Sequence, residues 1–228
     1  MEILVCVKRV PDIWENEIEV NSSGTDIDKS DLVYSVNEWD NYAVEEAIQI
    51  RDNVGGTVSI VTIGGKDDEE AVRREMAMGA DKGILISDAA LAGSDVSGLA
   101  TALAALLKKE GYDLVLTAVQ ANDGAGQVGG MLATMLGWPF ASIVNNLEIV
   151  DDKTAKVGRE IAGGNQEMYE MDLPCVVSIQ TGINEPRYAG VRGIRKAAAL
   201  EIPVYGLSDL GISPDAVGED GARTKILD

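Results

Sequence analysis

Apolar positions along the first two-thirds of the chain alternate between two rhythms. Ile3-Leu-Val-Cys-Val7, Thr57-Val-Ser-Ile-Val-Thr62, Gly83-Ile-Leu-Ile86 and Leu114-Val-Leu-Thr117 are short, continuous, β-branched runs, the pattern of strands covered on both faces. Between them apolar residues recur three and four apart, as in Val44, Ala47 and Ile48, which predicts helices to about Arg51, from Asp67 to Met78, from Asp95 to Lys109 and from about Gln127 to Leu136. Strand alternating with helix predicts an α/β fold: a doubly wound, mainly parallel sheet with helices on both sides.

The helix starts carry polar signals. Asn37 precedes Glu38 and Asp40, which suits an N-cap with acid in the first turn, although the same asparagine suits a ligand contact equally well. Asp67 to Glu70 fits an acidic capping box. From Glu17 to Ser35, alternation around Asn21-Ser-Ser-Gly24 predicts a small hairpin excursion. Beyond Pro139 the helical rhythm stops. Ser142 to Val144, Asn146 to Val150, Ala155 to Arg159, Glu167 to Met171 and Cys175 to Ile179 are extended runs, predicting an antiparallel extension of the same sheet. The tail from Ser208 is polar with weak periodicity and is expected to order on a partner. The division that follows is an α/β domain over 1–200 and a C-terminal arm over 201–228.

Composition narrows the chemistry. At 228 residues and 46% hydrophobic content, the chain has enough apolar material for one α/β core with an appendage. The apolar stretch Leu99 to Leu107 ends at Lys108-Lys109, short of the roughly 20 residues a membrane span needs. Glu2 to Lys8 forms a first strand without the basic leader or cleavage site of a signal peptide, so the cytoplasm is the expected compartment. Cys6 and Cys175 sit in apolar runs, where reduced buried thiols are expected. There is no histidine, which removes the commonest general base and metal ligand and argues against hydrolase and zinc chemistry. The formal charge of -19 repels nucleic acid and anionic lipid. In this acidic background Arg187, Arg192, Arg195 and Lys196 form a basic island that suits a partner-facing surface.

The densest polar loop runs from Val119 to Gly130 and contains Gly124-Ala-Gly126-Gln-Val-Gly129. The string matches a dinucleotide fingerprint in form only. It lies after the fourth strand, several residues beyond it, whereas the fingerprint opens the first strand-helix unit tightly. Glycines ahead of a helix still suit a phosphate. The loops carrying Val7-Lys8, Thr62-Ile63-Gly64 and Gln120 to Gly130 all leave the carboxyl edge of a parallel sheet, where one nucleotide could span them.

These residues give the chain a resemblance to the β subunit of electron-transfer flavoproteins. The resemblance rests on Ile3-Leu-Val-Cys-Val-Lys-Arg-Val10, Asn37-Glu38 with Ala43-Val-Glu-Glu-Ala47, Ala77-Met-Gly-Ala-Asp81, Arg159-Glu160-Ile-Ala-Gly163-Gly164, Leu173-Pro174 and Asn184-Glu-Pro-Arg-Tyr188. It implies an adenine-nucleotide α-hydrolase-like fold and a heterodimer whose α subunit carries FAD, while this chain holds AMP through Val7, Asn37, Ile63, Asp123, Gln127, Val128 and Gly129. It also implies a docking loop over 183–197 for a flavin-dependent dehydrogenase such as an acyl-CoA dehydrogenase, with Asn184, Pro186, Arg187, Tyr188 and Val191 in it. Glu160 is the implied contact to the flavin domain, and a quinone oxidoreductase or another acceptor takes the electrons onward. This sequence departs from the family in Val128, where many members have threonine, in a shorter phosphate loop, in Val191 where leucine is frequent, in the placement of a flavin-facing aromatic at Ile13 or Trp14, and in an abbreviated arm.

By that resemblance the chain is an electron-carrier subunit that breaks no covalent bond itself. The alternative within the family is a bifurcating complex, with a second FAD in the AMP position and NADH as hydride donor. Outside it, a stand-alone adenine-nucleotide sensor shares the same sheet.

Overall fold

The computed structural model describes residues 1–224. Strand β1 (Glu2–Cys6) leads through β2 (Arg9–Pro11) and β3 (Tyr34–Val36) into helix α1 (Glu38–Val54), β4 (Thr57–Ile63), α2 (Glu69–Met78) and β5 (Lys82–Ile86). Then come α3 (Val96–Glu110), β6 (Leu114–Ala118) and α4 (Val128–Leu136). The remainder comprises β7 (Phe140–Ile149), β8 (Thr154–Ile161), β9 (Asn165–Asp172), β10 (Cys175–Ile179), α5 (Val191–Ala199) and β11 (Val204–Tyr205). Nine strands form one sheet in the order β11-β5-β4-β1-β6-β10-β7-β8-β9. All neighbours from β11 to β7 are parallel, and β8 and β9 add antiparallel.

The alternation of side chains across the pleat explains why both faces are covered. Ile3, Val5, Ile60, Leu116 and Val177 enter the core on the side of α1 and α2. Leu4, Val61, Val115 and Val176 enter the other core, built with α3 and α4. Among the described residues no helix is long and apolar enough to cross a membrane.

Two local expectations change. Cys175–Ile179 is a central parallel strand between β6 and β7 and not part of the antiparallel extension. Its five residues are all buried, the continuous burial that a strand covered on both faces requires. Ser142–Val144 and Asn146–Val150 are largely one strand, β7, whose register against β8 shifts between Val144 and Asn146, beside Ile143 at φ 59. The excursion after Pro11 does hold the expected small hairpin: Val20 bridges Ile27 antiparallel across the Asn21–Gly24 turn, with the Asn21 N–H on the Asp26 carbonyl and the Asp28 N–H on the Glu19 carbonyl, and the paired strands β2 and β3 flank it. Ile13, Trp14, Val20 and Val33 are left exposed there, because the excursion has no core of its own.

The C-terminal segment also folds onto this chain, as far as it is described. Val204–Tyr205 is the edge strand beside β5, and Leu207 and Val217 are buried in the second core. Weak periodicity concealed this, since two well-placed apolar residues anchor a segment without any helical stripe.

Candidate functional site

The parallel strands β1, β4 and β6 end together, and the loops leaving them enclose a cavity of about 500 Å³. Its wall contains all seven residues singled out for a nucleotide: Val7, Asn37, Ile63, Asp123, Gln127, Val128 and Gly129. Neighbouring in space, they come from segments more than a hundred positions apart. A second cavity, about 410 Å³, opens at the opposite edge of the sheet near Glu2, Lys82 and Glu110. Among the described residues, no buried side-chain polar atom in its wall lacks a partner, and the Tyr205 hydroxyl there is already donated to Glu110 at 2.6 Å.

The first cavity does have such atoms. Asn37 is fully buried, and its side chain does not cap α1. Its amide nitrogen donates to Asp40 Oδ1 and to the Gln120 carbonyl, both at 3.0 Å. That leaves Asn37 Oδ1 an acceptor without a donor, and the Thr117 hydroxyl at the end of β6 is likewise unpaired. Unpaired buried polar groups cost about 1–3 kcal/mol each, so these two atoms in one wall are free to accept or donate to a group placed in the cavity. The Val7 N–H is spent on the Val61 carbonyl at 2.9 Å, so a ligand there meets the Val7 carbonyl or side chain.

Asp40 lies beneath Asn37 and also accepts the Lys8 N–H at 2.8 Å. Burial pushes its carboxyl up to about 7, against the opposing pull of the Asn37 amide and the Lys8 N–H. Burial, with the Asp40 charge beside it, raises the Cys6 thiol to about 12, so Cys6 is a packing residue and not a nucleophile. At the rim Lys8 Nζ bridges to both oxygens of Asp123 at 2.6 and 2.7 Å.

Two helices start at the cavity, and they start differently. Helix α3 is capped by Asp95, whose Oδ1 accepts the N–H groups of Ser97 at 2.9 Å and Gly98 at 3.2 Å. Helix α4 has no side-chain cap, so its first N–H groups and the positive end of its dipole stay available to an anion. The glycines around its start divide the work. Gly126 has φ 66, and a Cβ there would collide with the Val119 carbonyl, so this glycine folds the loop back on its own strand. At Gly129 a Cβ would meet Thr117 Oγ1 at 2.8 Å and the Phe140 ring at 3.1 Å, so that glycine lets α4 sit close on the sheet.

The residues singled out for docking lie elsewhere. Glu160 is exposed on β8, opposite Gln166. Asn184 donates to the Tyr42 carbonyl at 3.0 Å and to Glu46 at 2.9 Å. Arg187 grips Glu45 with two nitrogens, at 2.7 and 3.0 Å. Desolvation raises the Glu45 carboxyl, but Arg187 outweighs it and holds the group below the usual range. Pro186 is half-buried, whereas Tyr188 is 96% and Val191 68% exposed. The loop is thus fastened to α1 at one end and open at the other.

A sequence model of the electron transfer flavoprotein domain matches residues 25–210. The chain belongs to the electron transfer flavoprotein family. Within it the chain is similar to proteins of the β-subunit and FixA type. It is 36% identical to the electron transfer flavoprotein subunit beta of Methylophilus methylotrophus, over 99% of this chain and 87% of that protein. It is 37% identical to the caffeyl-CoA reductase-Etf complex subunit CarD of Acetobacterium woodii, over 100% of this chain and 86% of that subunit, and 34% identical to protein FixA of Azotobacter vinelandii, over 99% and 82%. For a flavoprotein-family chain, the cavity residues overlooked in the sequence are Asp40, Asp95 and Thr117. Asp40 and Asp95 gave the signal of ordinary helix starts, and Thr117 that of a strand end.

Proposed function

We propose that this chain is the β subunit of a heterodimeric electron-transfer flavoprotein and holds one AMP in the cavity above β1, β4 and β6, while an α subunit holds FAD. The observation that carries the nucleotide is the pairing, in one wall, of the uncapped start of α4 with the unspent acceptor Asn37 Oδ1. A phosphate suits the first and the exocyclic amine of adenine suits the second. Val7 and Ile63 flank the base, and Gln127, Val128 and Gly129 offer backbone to the phosphate, consistent with the missing hydroxyl at position 128. When bound, the flavin supplies the redox chemistry. This chain's residues bind, orient and dock.

In the same proposal, the complex takes electrons from a flavin-dependent dehydrogenase, of which an acyl-CoA dehydrogenase is the type, and delivers them to a quinone oxidoreductase or another acceptor in the cytoplasm. The exposed apolar pair Tyr188 and Val191 on the tethered loop 183–197 supports a docking role, and the exposed Glu160 supports a contact to the flavin domain.

A second reading is favoured by one finding, the 37% identity to a subunit named for a caffeyl-CoA reductase-Etf complex. In it a second FAD replaces AMP and NADH supplies the electrons. Both readings are tested by co-expressing the chain with its α subunit, denaturing the purified complex and quantifying AMP and FAD. One AMP and one FAD per heterodimer is the expected result. Two FAD and no AMP would establish the second reading, and no adenine nucleotide would overturn the assignment of the cavity.

A further inference from the structure

The adenine-nucleotide reading leaves open how many phosphates the cavity accepts. Its wall answers through its charges. Lys8 is the one cation among the described residues lining it, and Lys8 is already engaged by Asp123. The carboxylates in the same wall are Asp40, Asp95 and Asp123. Among the described residues, a phosphate anchored at the start of α4 therefore draws on helix N–H groups and not on a free cation.

A nucleotide that carries a second phosphate needs further donors. The neighbouring start of α3 is the natural source, since α3 packs along α4 and Ser94, Asp95 and Val96 line the same cavity. That start is filled from both sides. Asp95 Oδ1 satisfies the helix, while Asp95 Oδ2 accepts the Arg223 N–H at 2.8 Å, the Thr224 N–H at 3.0 Å and the Thr224 hydroxyl at 3.1 Å. One carboxylate thus fastens residues 223–224 across the start of α3, and Thr224 itself joins the wall. Upstream, the Gly218 N–H donates to Ser94 Oγ at 2.8 Å, and a Cβ at Gly93 would strike the Glu219 side chain. The segment is therefore held at two adjacent residues, Ser94 and Asp95, at the start of α3.

We propose that Asp95, with the strap it fastens, restricts this cavity to nucleoside monophosphates by closing the start of α3 to a second phosphate. The inference rests on the cavity being an adenine-nucleotide site. Asp95 then acts twice, by occupying the donors a β-phosphate would use and by placing a negative charge where that phosphate would lie. ADP, which is also the adenylate half of a flavin dinucleotide, is disfavoured on both counts.

The test compares AMP, ADP and FAD by titration calorimetry on the nucleotide-stripped complex. Wild type is expected to bind ADP about tenfold more weakly than AMP, the scale of one like-charge contact near a protein surface. Asp95→Ser keeps a capping hydroxyl for α3 but removes the charge and the strap's anchor. It is expected to bring the ADP-to-AMP ratio to within about threefold. Thr224→Pro leaves the cap of α3 intact and removes the N–H and hydroxyl that hold the strap, so it provides the same reading, with a smaller shift, if Asp95→Ser does not fold. Equal binding of AMP and ADP by wild type, or an unchanged ratio in the variants, would overturn this inference and leave the adenine-nucleotide reading standing. Failure of every adenine nucleotide to bind wild type would overturn both.

Discussion

Asn37 occupies the position of a helix cap and does something else. A capping asparagine turns its oxygen toward the helix N–H groups, whereas here the amide nitrogen holds Asp40 and Gln120 and the oxygen is left over. Glu75 is the opposite case, a fully buried carboxyl in α2 for which neither oxygen has a partner. Burial, with the Asp40 charge added, pushes its carboxyl up to about 8 from an ordinary value of 4.5. Between those values the folded chain keeps a proton that the unfolded chain has lost. Stability contributed at Glu75 is therefore intact below pH 4.5 and declines as pH rises toward 8. Glu75→Met fills similar volume without the titration. It is expected to raise stability at pH 8 by roughly 2–4 kcal/mol, with the gain shrinking toward pH 5. Urea unfolding of both proteins at the two values checks this, and a gain independent of pH would contradict it.

At the scale of elements, α5 shows how a short helix is held without a core. It buries only Ala197 of its own residues. Gly193 lies directly against the Ala77 carbonyl of α2, where any Cβ would collide, and Arg73 reaches across to the carbonyls of Ala197 and Leu200 at 2.7 and 3.2 Å. Its exposed side keeps Val191 and Ile194 free. Two substitutions two residues apart should therefore behave differently. Val191→Asp touches solvent and should change stability by less than about 0.5 kcal/mol, while slowing electron delivery from the dehydrogenase through loss of an apolar anchor. Gly193→Val should displace α5 from α2, costing about 1–3 kcal/mol. Hydrogen exchange of the α5 amides separates them, with fast exchange expected for Gly193→Val alone. Unchanged transfer kinetics in Val191→Asp would remove Val191 from the docking surface.

Over the whole molecule the charge of -19 is a structural quantity as well as a surface property. Self-repulsion on this scale opposes the compact state and is screened by salt, with a Debye length near 10 Å at about 0.1 M. The melting temperature of the isolated chain is expected to rise by several degrees between about 10 mM and 300 mM sodium chloride. Scanning calorimetry measures it, and a flat or falling profile would show that attractive pairs such as Arg187 with Glu45 and Arg51 with Asp81 outweigh the net repulsion.

The sequence by itself determined the α/β class, the boundaries of α1 to α4 to within about three residues, and the loops that meet at the cavity. Those properties are written in side-chain period, caps and turn residues, interactions that span a few positions and so survive without knowledge of the fold. The tertiary structure alone decided the rest. Cys175–Ile179 entered the parallel sheet because a mostly apolar run needs cover on both faces, and which gap it fills depends on strands sixty positions away. Arg187 was spent within the chain because the fold set Glu45 beside it. Asp95, in sequence a helix cap, gained the strap at residues 223–224 only when the end of the chain returned across α3. Local free energies select elements, but a side chain's last hydrogen bond is assigned by whatever distant backbone the packing brings within 3 Å.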